Sequence, residues 1–87
     1  MKVLEIKDIV RKDVPIYYRR LFTGTAVLEI LDKPLEHRIE FTIETKPTGT
    51  RETTVSLVDN LDYPLVPVIK ELKDFISGLD RSGALPC

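Results

Sequence analysis

The sequence predicts an α+β domain, an antiparallel meander sheet of four to five strands followed by one C-terminal helix packed on one face. Three observations carry that reading. Residues 37–58 alternate apolar and polar side chains on both sides of a Pro-Thr-Gly turn, residues 16–31 are rich in aromatic and β-branched residues, and from Val68 onward apolar residues recur at steps of three and four. Strands in sequence, short connections and then one helix are the order of a meander covered by that helix.

The clearest element is the hairpin. Ile39, Phe41 and Ile43 share one face of a strand while Arg38, Glu40, Thr42 and Glu44 share the other, because side chains alternate with period two. The returning strand runs from about Thr53 to Val58, with Val55 and Leu57 in the Ile-Phe-Ile row. Pro47 and Gly49 suit the connection between them, which exceeds a two-residue loop and predicts a wide or bulged turn.

Upstream, residues 25–31 read as a strand joined to the hairpin through Asp32, Lys33 and Pro34. Ala26, Leu28 and Ile30 fall on one side and Val27 and Leu31 on the other, so this strand is apolar on both faces and calls for an interface. Residues 16–22 are a further β candidate ended by Thr-Gly-Thr, where Gly24 permits a tight turn; one long bent strand over 16–31 and two separate strands both fit. Residues 2–10 read as another strand.

The last element changes period. Val68, Ile69, Leu72, Phe75, Ile76 and Leu79 make a stripe, with Lys70, Glu71, Lys73 and Asp74 opposite. Pro67 belongs near the helix start, with residues 62–66 as lead-in, and Gly78 or Gly83 can end it. The expected division of this single 1–87 domain is therefore an N-terminal strand and linker over 1–15, sheet over 16–58, helix over 62–80 and a tail over 81–87 that is mobile unless a partner captures Leu85. The expected core is Ile39, Phe41, Ile43, Val55, Leu57, Leu72, Phe75 and Ile76.

Composition narrows the function classes. With 43% apolar and 31% charged residues the chain is globular, and thirteen Lys and Arg against fourteen Asp and Glu leave a net charge of -1. That balance gives no global attraction for a polyanion, so any such contact needs a local patch. The N-terminus lacks the apolar run of a signal peptide and no stretch approaches the roughly 18 apolar residues of a membrane span, so the expectation is a cytoplasmic protein without membrane contact. Cys87 has no partner for an intrachain disulfide.

Enzyme signatures are scarce. His37 has no Cys or His at ligand spacing, which argues against a metal and for a strand-edge surface residue, and no nucleophile elbow, Walker loop or dinucleotide fingerprint occurs. Glu40 and Glu44 share a strand face roughly 13 Å apart, too far to flank one bond. The expectation is a non-enzyme with no cofactor and no small-molecule substrate.

Chemical content resides in Tyr17, Tyr18, Arg19 and Arg20. In either register each strand face receives one Tyr and one Arg, a pairing that can stack an unpaired base and hold a phosphate. The plainer reading is that the tyrosines close a core edge and the arginines are ordinary surface charges. Val27 and Leu31 are the candidate interface of a homodimer, since one short helix leaves apolar surface uncovered.

Segments YYRRLFTG, TAVLEIL and IETKPTGTRETTVSLVD, followed closely by the amphipathic helix, resemble the PUR repeat of purine-rich-element-binding proteins and, more loosely, other whirly-type single-stranded nucleic-acid binders. The likeness spans residues 16–79, and Ile43, Glu44, Lys46, Gly49 and Arg51 occupy family-like positions in the turn. It implies four antiparallel strands and a helix, two repeats interlocked as a homodimer, and binding of single-stranded DNA or RNA by the sheet surface and its loops. Transferred by position, Tyr18, Arg20, Lys46 and Arg51 are the implied contacts. The chain departs from the pattern in its aliphatic middle strands and in the charge of Glu40 and Glu44. A homodimeric protein-protein interaction domain without a nucleic-acid role is the alternative that the residues leave open.

Overall fold

The computed structural model describes residues 1–12, 18–58 and 63–86. Four strands, β1 (Lys2–Lys12), β2 (Arg19–Ile30), β3 (Lys33–Thr45) and β4 (Arg51–Leu57), precede one helix, α1 (Leu65–Ser82). All neighbours pair antiparallel in the order β1-β2-β3-β4, an open meander. The proposed strand start at residues 16 and 17, including Tyr17, the helix lead-in at Asp62, and Cys87 lie outside the described residues.

Residues 19–30 form one continuous strand, so the turn expected at Gly24 does not exist. Gly24 instead pairs with Ile39 in the middle of the sheet, where its missing Cβ leaves room for β1. A Cβ there would come within 3.2 Å of Ile6 Cγ2 and 3.4 Å of Ile9 Cγ1. Both isoleucines reach the same side because β1 breaks register between Lys7 and Val10, with Asp8 at φ 54, a left-handed conformation that aspartate tolerates. Glycine in β2 and the bulge in β1 are thus two halves of one packing solution.

The connection from β2 to β3 is also tighter than expected. Leu31 and Asp32 form a two-residue turn with φ 52 and 61, and Lys33 and Pro34 already belong to β3. Leu31 is therefore not on the strand face that carries Val27. Pro34 is tolerated because β4 pairs with β3 only from Ile39 onward, leaving Pro34 on an edge not paired by β4.

The helix closes one face. Its nearest approaches are to β4 and β1, the two outer strands, so the sheet curls around it. Phe22, Ala26, Leu28 and Ile30 of β2 and Ile39, Phe41 and Ile43 of β3 meet Val55, Val68, Leu72 and Ile76 in the core, with Phe22 and Phe41 stacked at 5.0 Å between ring centroids. Leu57 is partly buried against this cluster.

Phe75 departs from expectation: it is half-buried and lies outside the core cluster. At about 100° per residue it sits roughly 60° around the helix from Leu72, on the margin of the stripe rather than its centre. Pro67 falls in the first turn, where its missing N–H costs nothing. Gly83, not Gly78, ends the helix at φ 73, and the Ala84 N–H then bonds the Leu79 carbonyl at 2.9 Å. That reversal turns Leu85 into the chain's own core, where it is 8% exposed, so the tail is anchored through the described residue 86 rather than waiting for a partner.

Equilibrium urea unfolding should rank two phenylalanines in the opposite order to their prominence in the sequence. Phe41→Ala is expected to cost about 3 to 5 kcal/mol through loss of burial and a cavity. Phe75→Ala is expected to cost only about 1 kcal/mol. Equal costs would contradict the helix orientation described above.

Candidate nucleic-acid interface

Meander order brings four separated stretches to one end of the molecule: the end of β1, the start of β2, the β3–β4 turn and the last turns of α1. The turn is closed by backbone bonds from Lys46 N–H to the Thr50 carbonyl and from Gly49 N–H to the Lys46 carbonyl, each 2.8 Å, with Gly49 at φ 88. This is the wide turn that the sequence leads one to expect. Tyr18 is tied to it, since its carbonyl accepts the Thr45 N–H at 2.8 Å.

Tyr18, Glu44, Thr45, Lys46 and Pro47 consequently line one open cleft of about 580 Å³. Tyr18 is 44% exposed there. Tyr18 and Lys46, far apart in the chain, are thus brought together, whereas Arg19 stands beside them on the uncovered face of the sheet, bonded to Glu44 at 2.8 Å. The residues proposed from the sequence divide at this point. Arg20 and Arg51 lie on the covered face, and both donate to Asp80 of α1, to Oδ1 and Oδ2 respectively, each at 2.8 Å. The Arg20 guanidinium also sits 6.0 Å over the Phe22 ring. Val27, half-buried on the uncovered face opposite Glu5 and Glu36, is several rows away.

All four described candidate cations are ion-paired. Lys46 reaches Glu52 at 2.9 Å, and this hydrogen bond raises the lysine pKa above its ordinary value while holding the Glu52 carboxyl below its own. Asp80 is different in kind, with its side chain only 9% exposed. Burial pushes its pKa up, but the hydrogen bonds and charges of Arg20 and Arg51 outweigh burial and hold it below the ordinary aspartate value.

Counting by location changes the electrostatic picture. Among the described residues, this end gathers Arg11, Lys12, Arg19, Arg20, Lys46, Arg51 and Arg81 against Glu44, Glu52 and Asp80. Seven cations face three carboxylates, a local excess of four on a chain whose net charge is -1. The remainder of the described residues carries six cations and eight carboxylates. Asp80, Glu44, Glu52 and Pro47 were not singled out from the sequence as parts of a site, and neither were Arg11, Lys12 or Arg81. Only the strand order, which places their segments at one end, could have pointed to them.

His37 is half-buried on the covered side of β3, opposite Ala26, rather than an exposed edge residue. Among the described residues no three of His, Cys, Asp and Glu converge as a metal site. No helix among them is long and apolar enough to cross a membrane.

A family model matches residues 1–81, nearly the whole chain. The chain belongs to the BB-0187 family. No curated protein and no solved structure matches it.

The two-arginine clamp on Asp80 gives a stability signature. Asp80→Asn is expected to cost about 1 to 3 kcal/mol in urea unfolding, because two charge-assisted hydrogen bonds weaken together. Since the folded pKa is depressed, the unfolded chain takes up the proton first on acidification. Asp80's contribution is therefore complete above the unfolded aspartate value, about pH 4, and is lost as pH falls through the lower folded value. The Asn variant should show a correspondingly flatter loss of stability below about pH 4.

Proposed function

We propose that this chain is a small, non-catalytic, cytoplasmic module that binds single-stranded DNA or RNA at its basic end, in the manner that its resemblance to PUR repeats implies. The observation that carries the reading is the convergence of an exposed Tyr18 and Lys46 in one cleft, set in a local excess of four positive charges. A tyrosine face stacks on any unpaired base and the surrounding cations hold the backbone, so the chemistry is sequence-tolerant. Base and phosphate would meet different sides of the same cleft, with Pro47 as its other apolar wall.

Ion pairing sorts the cations by availability. The Arg19–Glu44 and Lys46–Glu52 pairs are solvent-exposed, and such pairs contribute only about 0 to 1 kcal/mol, so a phosphate can displace either carboxylate at small cost. Arg20 and Arg51 share a nearly buried Asp80 and serve as a fixed part of the local field. Arg19 and Lys46, with Lys12 beside them across β2, are the cations placed for direct contact.

A second reading, a protein-protein interaction domain, is favoured by the same pairing: each described candidate cation already has a carboxylate partner. Salt dependence separates the two, because phosphate neutralisation releases counterions.

Fluorescence titration of labelled single-stranded oligonucleotides at two salt concentrations, beside a duplex control, tests the proposal. Expected are weak binding, preference over duplex and a log-log salt slope of about -2, from roughly three phosphates at ~0.7 each. Tyr18→Ala should weaken binding roughly tenfold, in line with about 1 to 3 kcal/mol per stacked base, while Tyr18→Phe should preserve it. Glu44→Gln, which frees Arg19, should tighten binding. Absence of binding at low salt with tens of micromolar protein would leave the interaction-domain reading in its place.

A further inference from the structure

The end of the hairpin opposite the basic patch carries an unusual pairing of strain and exposure. Leu31 occupies φ 52 in the β2–β3 turn and is 87% exposed. A bulky residue at positive φ is conformationally unfavourable, and two-residue turns with both φ values positive ordinarily take Asn, Asp or Gly. Here the sequence keeps a leucine where the backbone disfavours it and where the chain's own core gives it no cover.

A groove of matching character lies on α1. Leu65, Val66, Ile69, Lys70 and Lys73 line a hollow of about 360 Å³, with Val66 82% exposed. Neither lysine joins an ion pair among the described residues, and neither does Asp32, which follows Leu31 directly in the turn. The tip thus presents an apolar side chain next to a free carboxylate, and the groove presents an apolar floor beside two free ammonium groups. The exposure of Leu31 shows that the tip does not occupy its own groove.

We infer that the Leu31–Asp32 tip of one copy docks into the Leu65–Val66–Ile69 groove of a second copy, with Asp32 facing Lys70 and Lys73, and that the exchange is reciprocal in a twofold dimer. Charge selects this occupant. An acidic tip is repelled by nucleic acid and by anionic membrane, and the complementary basic groove exists on the same chain. Reciprocity matters because a single tip-in-groove contact would propagate into open chains, whereas two related by a twofold axis close. The dimer is weak, since two tips and two grooves form a patch below standard interface size. It leaves the basic end free and does not depend on the nucleic-acid reading.

Sedimentation equilibrium without nucleic acid, from low to several hundred micromolar protein, is the test. The expected result is a monomer-dimer equilibrium. Leu31→Asn should weaken association roughly tenfold, the scale of losing one buried leucine side chain. At the lowest concentration its melting temperature should be unchanged or higher, because asparagine accepts the turn's positive φ. Lys70→Glu with Lys73→Glu should weaken association strongly when Asp32 is present and much less in an Asp32→Asn background, which removes the new repulsion without straining the turn. A monomer at every concentration, a Leu31→Asn dimer as tight as the wild type, oligomers larger than a dimer, or equal damage from the lysine reversals in both backgrounds would each overturn the proposal.

Discussion

One helix, Leu65–Ser82, covers the inner face of a four-stranded sheet, and the shape of the described structure follows from that shortage of cover. A flat sheet would leave the inner faces of its outer strands in water. The sheet instead curls until β1 and β4 are the strands nearest the helix. Curling needs local breaks in regular pairing, and they occur in β1, at the register shifts between Val3 and Glu5 and between Lys7 and Val10. Gly24 completes the adjustment by letting Ile6 and Ile9 approach β2 over a missing side chain. Leu85, turned inward after Gly83, supplies cover that the helix alone does not.

The same architecture sorts the charges. Near-neutral composition conceals a basic end because an antiparallel meander folds alternate segment ends together. Cations from β1, β2, the β3–β4 turn and α1 collect on one side, while Glu5, Glu29, Asp32 and Glu36 go to the other. Within the basic end, burial then separates fixed charge from available charge. Asp80 holds Arg20 and Arg51 on the covered face and locks the helix end to β2 and β4, whereas Glu44 and Glu52 hold Arg19 and Lys46 only at the surface, where ion pairs are weak. The opposite end stays apolar at Leu31, in a turn whose backbone would suit a smaller polar residue.

Much of the fold was legible in the sequence because period is a local signal. Alternation at Ile39, Phe41, Ile43 and Val55 and the three-and-four spacing of Val68, Leu72 and Ile76 state which side of each element is buried, and the structure buries those sides. Strand order followed from short connections, and the wide turn at Pro47 and Gly49 from their backbone preferences. What period does not carry is why a residue type is present. Gly24 looks like a turn in one dimension and is a close approach in three; Leu31 continues the apolar row of β2 by spacing and lies in a turn by geometry. Phe75 belongs to the stripe by spacing and lies at its margin because the trough fixes the rotation of the helix.

The candidate site was legible only as residue types. Tyrosine beside arginine marked Tyr18 and Arg19 as chemically able to hold a base and a phosphate, and that much is a property of side chains alone. Which cation shares a cleft with the tyrosine, which is locked by a carboxylate and where charge accumulates depend on distances between residues remote in sequence. Arg51 and Asp80 are 2.8 Å apart across 29 positions, and Arg20 and Asp80 are equally close across 60. The sequence by itself determined the elements, their buried faces and their order, since these rest on local periodicity and backbone preference. The tertiary structure decided the pairing of charges and the separation of a basic end from an apolar one, since Coulomb and contact energies depend on distance through space and not along the chain.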